Sequence, residues 1–323
     1  MKIAFVGKGG SGKTTLASLL ARHLAAAGLP VLVIDADINQ HLGVALGLDE
    51  AAAARLPAMG DHLEAIKDYL RGDNPRIRST ASMVKTTPPG RGSRLLRVVE
   101  RNPLYELLER QAGGVRLLAT GPFGADDLGV ACYHAKTGAV ELLLNHLVDG
   151  PGEYVIVDMT TGADCFASGL FTRFDRTFLV VEPTRKSTAV WRQYQGYARG
   201  FDVNLSAVGN KVQTDGDVAF LREQLGTDLL VHVEHSSLVR AAEQGRPLSL
   251  EALEAANRAA LRRLREAVDA TAKDWARFTR QAVQFHLRNA RAWANARSGE
   301  DLATQVDPEF TLGLDTLRLA ATP

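Results

Sequence analysis

The chain has 323 residues, 46% apolar and 23% charged, with a formal net charge of +1. That composition belongs to a soluble globular protein; it excludes a disordered chain and a molecule that binds polyanions over its whole surface. No apolar run approaches the length of a membrane-spanning helix, and the first residues enter a strand without a signal-peptide pattern, so the cytoplasm is the expected location. A nucleic-acid partner is not expected from this charge, and Cys132 and Cys165 do not make a disulfide framework there.

In chain order, Ile3-Ala4-Phe5-Val6 reads as a buried strand and residues 16–27 as a helix. Between them, Gly7-x4-Gly12-Lys13-Thr14 has the spacing of a phosphate-binding P-loop. Glycines let the backbone wrap a phosphate, and the helix that follows adds its positive N-terminal end. The segment Gly9-Gly10-Ser11-Gly12-Lys13-Thr14-Thr15 is the expected cradle, with Lys13 on the β- and γ-phosphates and the Thr14 hydroxyl on Mg²⁺. Residues 31–34 are a continuous apolar run, as in a strand buried on both faces, ending in Asp35-Ala36-Asp37. Ligands of doubly wound sheets sit beyond the carboxyl ends of the strands, so both carboxylates are placed to reach the nucleotide, Asp35 by ordering the Mg²⁺ shell; a helix cap is the alternative.

Residues 49–114 are too long for an unstructured loop and read as an insertion, with helices over 61–70 and 103–111. Its middle, residues 74–93, is rich in Pro, Gly, Ser, Thr and Arg and is expected to be mobile. There Lys85 and Arg91, with the nearby Arg94 and Arg97, either meet a partner or form a solvated basic loop. Residues 115–119 form the next strand, and Gly129-Val130-Ala131-Cys132-Tyr133-His134 precedes a helix over 137–147. The strand 154–158 leads into Asp158-Met159-Thr160-Thr161-Gly162, a strand-end aspartate followed four residues later by glycine. That is a Walker B and switch II layout: Asp158 holds Mg²⁺ through water, and the Gly162 N–H senses the γ-phosphate.

The strand 177–181 ends in Glu182-Pro183, with Ser187 expected to cap the next helix. The strand 205–209 is followed by Asn210-Lys211; the Asn210 amide, donor and acceptor together, suits an adenine edge, unless it is a turn residue. Gln213 stands where a guanine-reading motif needs aspartate, which favours ATP over GTP. A strand over 229–233, a loop over 234–238 expected to cover the base, and a helix over 250–270 close the domain. In the tail, residues 271–323, Trp275, Phe278, Ala282 and Phe285 share one helical face. Lys273, Arg277, Arg280, Arg288, Arg291 and Arg297 make that helix basic against one acid, Asp274. Such a helix serves membranes, nucleic acid or a partner, but packing of its aromatic stripe on the protein's own core is the commoner use.

Lys8, in Gly-Lys-Gly-Gly-x-Gly-Lys-Thr-Thr, makes the loop resemble the deviant P-loop of the MinD/ParA superfamily, which includes the nitrogenase iron protein, the arsenite-pump ATPases and the CooC-type ATPases. The resemblance covers residues 1–270, the insertion loosely, and leaves 271–323 as a helical extension. It implies an α/β, doubly wound, mainly parallel sheet with helices on both faces. It implies a Mg²⁺-dependent ATPase that closes as a homodimer around two ATP molecules, with Lys8 reaching the partner's nucleotide. Asp37 then lies in switch I and holds the attacking water, while Lys8, Lys13 and Mg²⁺ carry the phosphate charge. Asn210-Lys211 matches the superfamily's base-reading position, and residues 239–248 also match its pattern.

Val181-Glu182-Pro183 resembles the CooC-type ATPases in particular, and implies a conformational switch acting on a client protein in metallocentre maturation. Cys132 and Cys165 stand where the nitrogenase iron protein places its cluster cysteines, which implies instead an ATP-gated iron–sulfur reductase. The basic tail alone supports a positioning ATPase like ParA or MinD. For the cysteines, three readings stay open: buried apolar side chains, ligands of a bridging [4Fe–4S] cluster, or ligands of Zn²⁺ or Ni²⁺. Cys132-Tyr133-His134 departs from the Cys-x-Cys of the CooC type.

Overall fold

A computed structural model of the chain describes residues 1–122, 133–160, 166, 169–313 and 315–316, with 133–135 as backbone only. Its strands are β1 (Lys2–Gly7), β2 (Val31–Ala36), β3 (Leu96–Arg97), β4 (Arg110–Ala112), β5 (Val115–Ala119), β6 (Leu147–Val148), β7 (Tyr154–Met159), β8 (Arg176–Val181), β9 (Leu205–Val212) and β10 (Leu229–Glu234). The helices are α1 (Lys13–Ala26), α2 (Leu42–Ala45), α3 (Glu50–Ala53), α4 (Leu63–Arg71), α5 (Pro103–Leu108), α6 (Tyr133–His146), α7 (Arg185–Ala198), α8 (Asp215–Leu225), α9 (Ser237–Glu243), α10 (Ala255–Asp269), α11 (Trp275–Asn289) and α12 (Asn295–Ser298). Eight strands form one sheet in the order β10-β9-β8-β1-β7-β2-β5-β4, all parallel except the edge strand β4; β3 and β6 pair separately.

Side chains alternate across the pleat, so each central strand feeds two cores. From β1, Ala4 and Val6 join one core with α4, α6 and α7, while Ile3 and Phe5 join the other with α1 and α10. Both faces are covered, which is why β1, β2 and β7 are buried at every position. The connections leave the ends of β1, β2, β7, β8 and β9 along one edge, where the site lies.

The expected mobile centre of the insertion is not observed: residues 86–90 are all buried. The Asn74 amide donates to Ser93 Oγ at 2.9 Å, Thr87 Oγ1 donates to Gln305 Oε1 at 3.1 Å, and Gln305 Nε2 donates to the Ser82 carbonyl at 2.8 Å. Arg91 pairs with Asp307 at 2.9 Å and Arg97 with Glu153 at 2.6 Å, while Arg94 stacks on Tyr69. A polar loop becomes ordered here because the C-terminal extension satisfies it.

The extension packs as its aromatic stripe predicts, with Phe278, Ala282 and Phe285 buried. Lys273 bridges Asp149 at 2.6 Å and Asp175 at 2.8 Å, and its ammonium also faces the Phe278 ring. Burial alone would raise the Asp149 carboxyl, but Lys273, the N-terminal amine and Lys2 hold it well below the usual carboxylate range. One helix cap differs from expectation. Thr184, not Ser187, caps α7; the Ser187 hydroxyl instead accepts the Glu182 N–H at 3.0 Å.

Candidate nucleotide site

The P-loop leaves β1 at Gly7 and enters α1 at Lys13. Gly12 is left-handed at φ +94°, and a Cβ there would meet Asn210 Nδ2 at 2.1 Å, so only glycine fits. A turn closes when the Ser11 N–H donates to the Lys8 carbonyl at 3.1 Å. From β9, Asn210 Nδ2 donates to the Ser11 carbonyl at 2.7 Å and Lys211 Nζ to the Gly10 carbonyl at 2.6 Å. Thr15 Oγ1 donates to Glu243 Oε1 at 3.3 Å, which ties the loop to α9.

Lys13 is buried, with Nζ 2.6 Å from Asp37 Oδ2. Asp37 is fastened in turn, since the Asn39 backbone and side-chain N–H groups both donate to its Oδ1 at 2.9 and 3.0 Å. Asp35 accepts the N–H groups of Asp37 and Leu42, so it shapes the turn that carries Asp37. Register places Asp35 directly beside Asp158 on adjacent strands. The Thr14 hydroxyl donates to Asp158 Oδ2 at 2.5 Å.

Two buried carboxylates, Asp37 and Asp158, thus lie near the buried Lys13, and the buried Asp35 stands beside Asp158. Burial pushes Asp158 up to about 7, only partly offset by Lys13 and Thr14. Burial, then the Asp158 charge, pushes Asp35 well above the ordinary carboxylate range. Asp158 Oδ1 is buried without a hydrogen-bond partner among the described residues. An orphaned carboxylate oxygen beside a threonine hydroxyl fits a hard divalent cation. Among the described residues no group of three or more His, Cys, Asp or Glu side chains forms a metal site. Mg²⁺ suits such a site, because it keeps waters and takes further ligands from phosphate.

Every nucleotide-site residue expected from the sequence and lying within the described part, Lys8 to Thr15 with Asp35, Asp37, Asp158, Asn210 and Lys211, converges on this edge. Gly162, Cys132 and Cys165 lie outside the described residues. Asn39, Glu182 and Glu243 also touch the site and were not expected there; Glu182 stood inside a quoted motif, but no spacing rule pointed it at the P-loop.

The CobQ/CobB/MinD/ParA nucleotide binding domain matches residues 3–248. The chain belongs to this family. As a MinD/ParA-type protein it is a P-loop ATPase, and its layout is CooC-like. It is 30% identical over 247 residues to the carbon monoxide dehydrogenase accessory protein CooC of Rhodospirillum rubrum, covering 76% of this chain and 87% of that protein. An ATP-binding protein of Methanocaldococcus jannaschii is 28% identical over 257 residues, 78% of this chain and 92% of its own. In fold it is similar to a chain of the MinC:MinD cell division protein complex of Aquifex aeolicus, with TM-score 0.56, 21% identity and coverage of 84% and 97%. It is also similar to the Mg-ADP complex of MinD from Pyrococcus horikoshii, with TM-score 0.54, 16% identity and coverage of 84% and 99%. Among the described residues no helix is long and apolar enough to cross a membrane.

Proposed function

We propose that this MinD/ParA-type ATPase is a nucleotide-driven switch that serves the maturation of a metal centre in a client metalloenzyme. The observation that carries the reading is the 30% identity to CooC across 87% of that accessory protein. The Val181-Glu182-Pro183 turn beside the nucleotide site supports it.

In this reading two protomers close on two ATP molecules, with Lys8 of each completing the other's site. Among the described residues no carboxylate pairs with Lys8, which leaves its charge for a phosphate. Lys13 exchanges Asp37 for the γ-phosphate and neutralises it. The freed Asp37, still held by Asn39, orients the attacking water. Thr14 and Asp158 would hold Mg²⁺, with Asp35 ordering its surroundings; bound there, the ion neutralises charge on the phosphates. Asn210 keeps its amide oxygen for the adenine amino group while its nitrogen holds Ser11, and Gly162 reads the γ-phosphate. The metal is cargo, and Cys132 and Cys165 are the thiolates offered to it.

The test is the metal content and visible absorbance of protein purified without oxygen. Stoichiometric nickel or zinc, reduced by Cys132→Ser or Cys165→Ser, is the expected result. About four irons per dimer with a brown colour would turn the reading to an ATP-gated reductase. Absence of any bound metal would overturn the maturation reading.

A further inference from the structure

The P-loop is braced from outside by an ion pair between Glu182 and Lys211, the second residue of the base-reading Asn-Lys pair, whose ammonium here holds loop backbone. Register pairs β8 with β9 at Val181 and Gly209, so Glu182 and Asn210-Lys211 emerge side by side, next to the loop that follows Gly7. Between β9 and β10 the pairing steps from Gly209 opposite His232 to Val212 opposite Glu234, which inserts one extra residue into β9. This is a β-bulge over Asn210 and Lys211. At the bulge Lys211 is left-handed, with φ +59°.

In a regular strand, consecutive side chains point to opposite faces. The bulge breaks that alternation, and both side chains reach the same loop. Lys211 Nζ donates to the Gly10 carbonyl at 2.6 Å and pairs with Glu182 Oε1 at 2.9 Å. Glu182 is itself anchored, since its N–H donates to Ser187 Oγ and Pro183 follows it. Across a trans peptide the C=O and N–H point in opposite directions. Holding the Gly10 carbonyl outward therefore aims the Ser11 N–H back into the loop, where it meets the Lys8 carbonyl at 3.1 Å. That bond sets the turn on which Lys8 is carried. A non-glycine residue in a left-handed bulge is disfavoured and persists where its surroundings hold it.

We propose that Glu182 and Lys211 are a positioning pair of the ATPase site, acting through the Gly10 carbonyl to fix the Lys8–Ser11 turn and so the aim of Lys8. The effect on kcat rests on the proposed role of Lys8 in the ATP-closed dimer, whereas P-loop exchange reads the bracing of the loop independently of that role and of the client. The test measures ATP hydrolysis and hydrogen exchange of the P-loop amides in Lys211→Met, Glu182→Gln and Lys211→Arg. In Lys211→Met, kcat falls roughly tenfold or more while KM stays within about threefold, and P-loop exchange accelerates. Glu182→Gln moves both readouts the same way by less, and Lys211→Arg recovers most of the loss. Glu182→Gln keeps the test open if Lys211→Met does not fold. Two outcomes would overturn the proposal: wild-type kinetics and exchange in both variants, or a raised KM at unchanged kcat, which would make Lys211 a nucleotide contact instead.

Discussion

Asp158 is where the charge balance of the site is decided. Its folded-state value, raised to about 7 by burial, lies above the ordinary 3.8. The folded chain therefore holds a proton that the unfolded chain releases, and stability of the nucleotide-free protein falls as pH rises from about 4 to about 7. Asp35, also raised, acts in the same direction. Thermal melts across that window should show the slope, and Asp158→Asn should flatten it; an undiminished slope in that variant would place the proton elsewhere. Mg²⁺-dependent ATP binding should strengthen over the same window, because the carboxylate has to lose its proton to meet the cation. Asp37 carries a separate expectation. Asp37→Asn keeps the shape and the Asn39 contacts but loses the charge, so kcat should fall about 100-fold with little change in KM. A variant with wild-type kcat would remove Asp37 from the chemistry.

At the scale of elements, the central strands were legible because burial on both faces leaves long apolar runs, as in Val31-Leu32-Val33-Ile34 and Tyr154-Val155-Ile156-Val157. The two-residue strands β3 and β6 carry too few positions for any period to appear. The bulge at Asn210-Lys211 was hidden for another reason: nothing in an Asn-Lys pair announces a left-handed lysine. Order in residues 74–93 depends on partners near residues 305–307, more than 200 positions away, and local composition holds no trace of them. The basic helix α11 was read correctly as core-facing because its aromatic spacing outweighs its charge. Phe278 is its anchor, against Lys2, Lys273 and Arg277. Phe278→Ala should cost about 3–5 kcal/mol in denaturant unfolding. A loss below about 1 kcal/mol would mean that the extension is only loosely docked.

For the molecule as a whole, the nucleotide edge of the sheet is the one place where strand ends, buried carboxylates and half-buried Lys8 meet. Nothing within the described part of the chain neutralises Lys8, although the neighbouring Lys13 has Asp37. In the proposed reading this lysine acts across a two-fold interface, which ATP closes. The direct measurement is mass in solution by light scattering, with Mg²⁺ and a slowly hydrolysed ATP analogue or with Mg²⁺ and ADP. Twice the 34.9 kDa of one chain is expected with the ATP analogue. A single chain is expected with ADP, and a single chain in both for Lys8→Ala. A wild-type mass that stays at one chain with the ATP analogue bound, or a Lys8→Ala variant that dimerises as well as wild type, would contradict that reading.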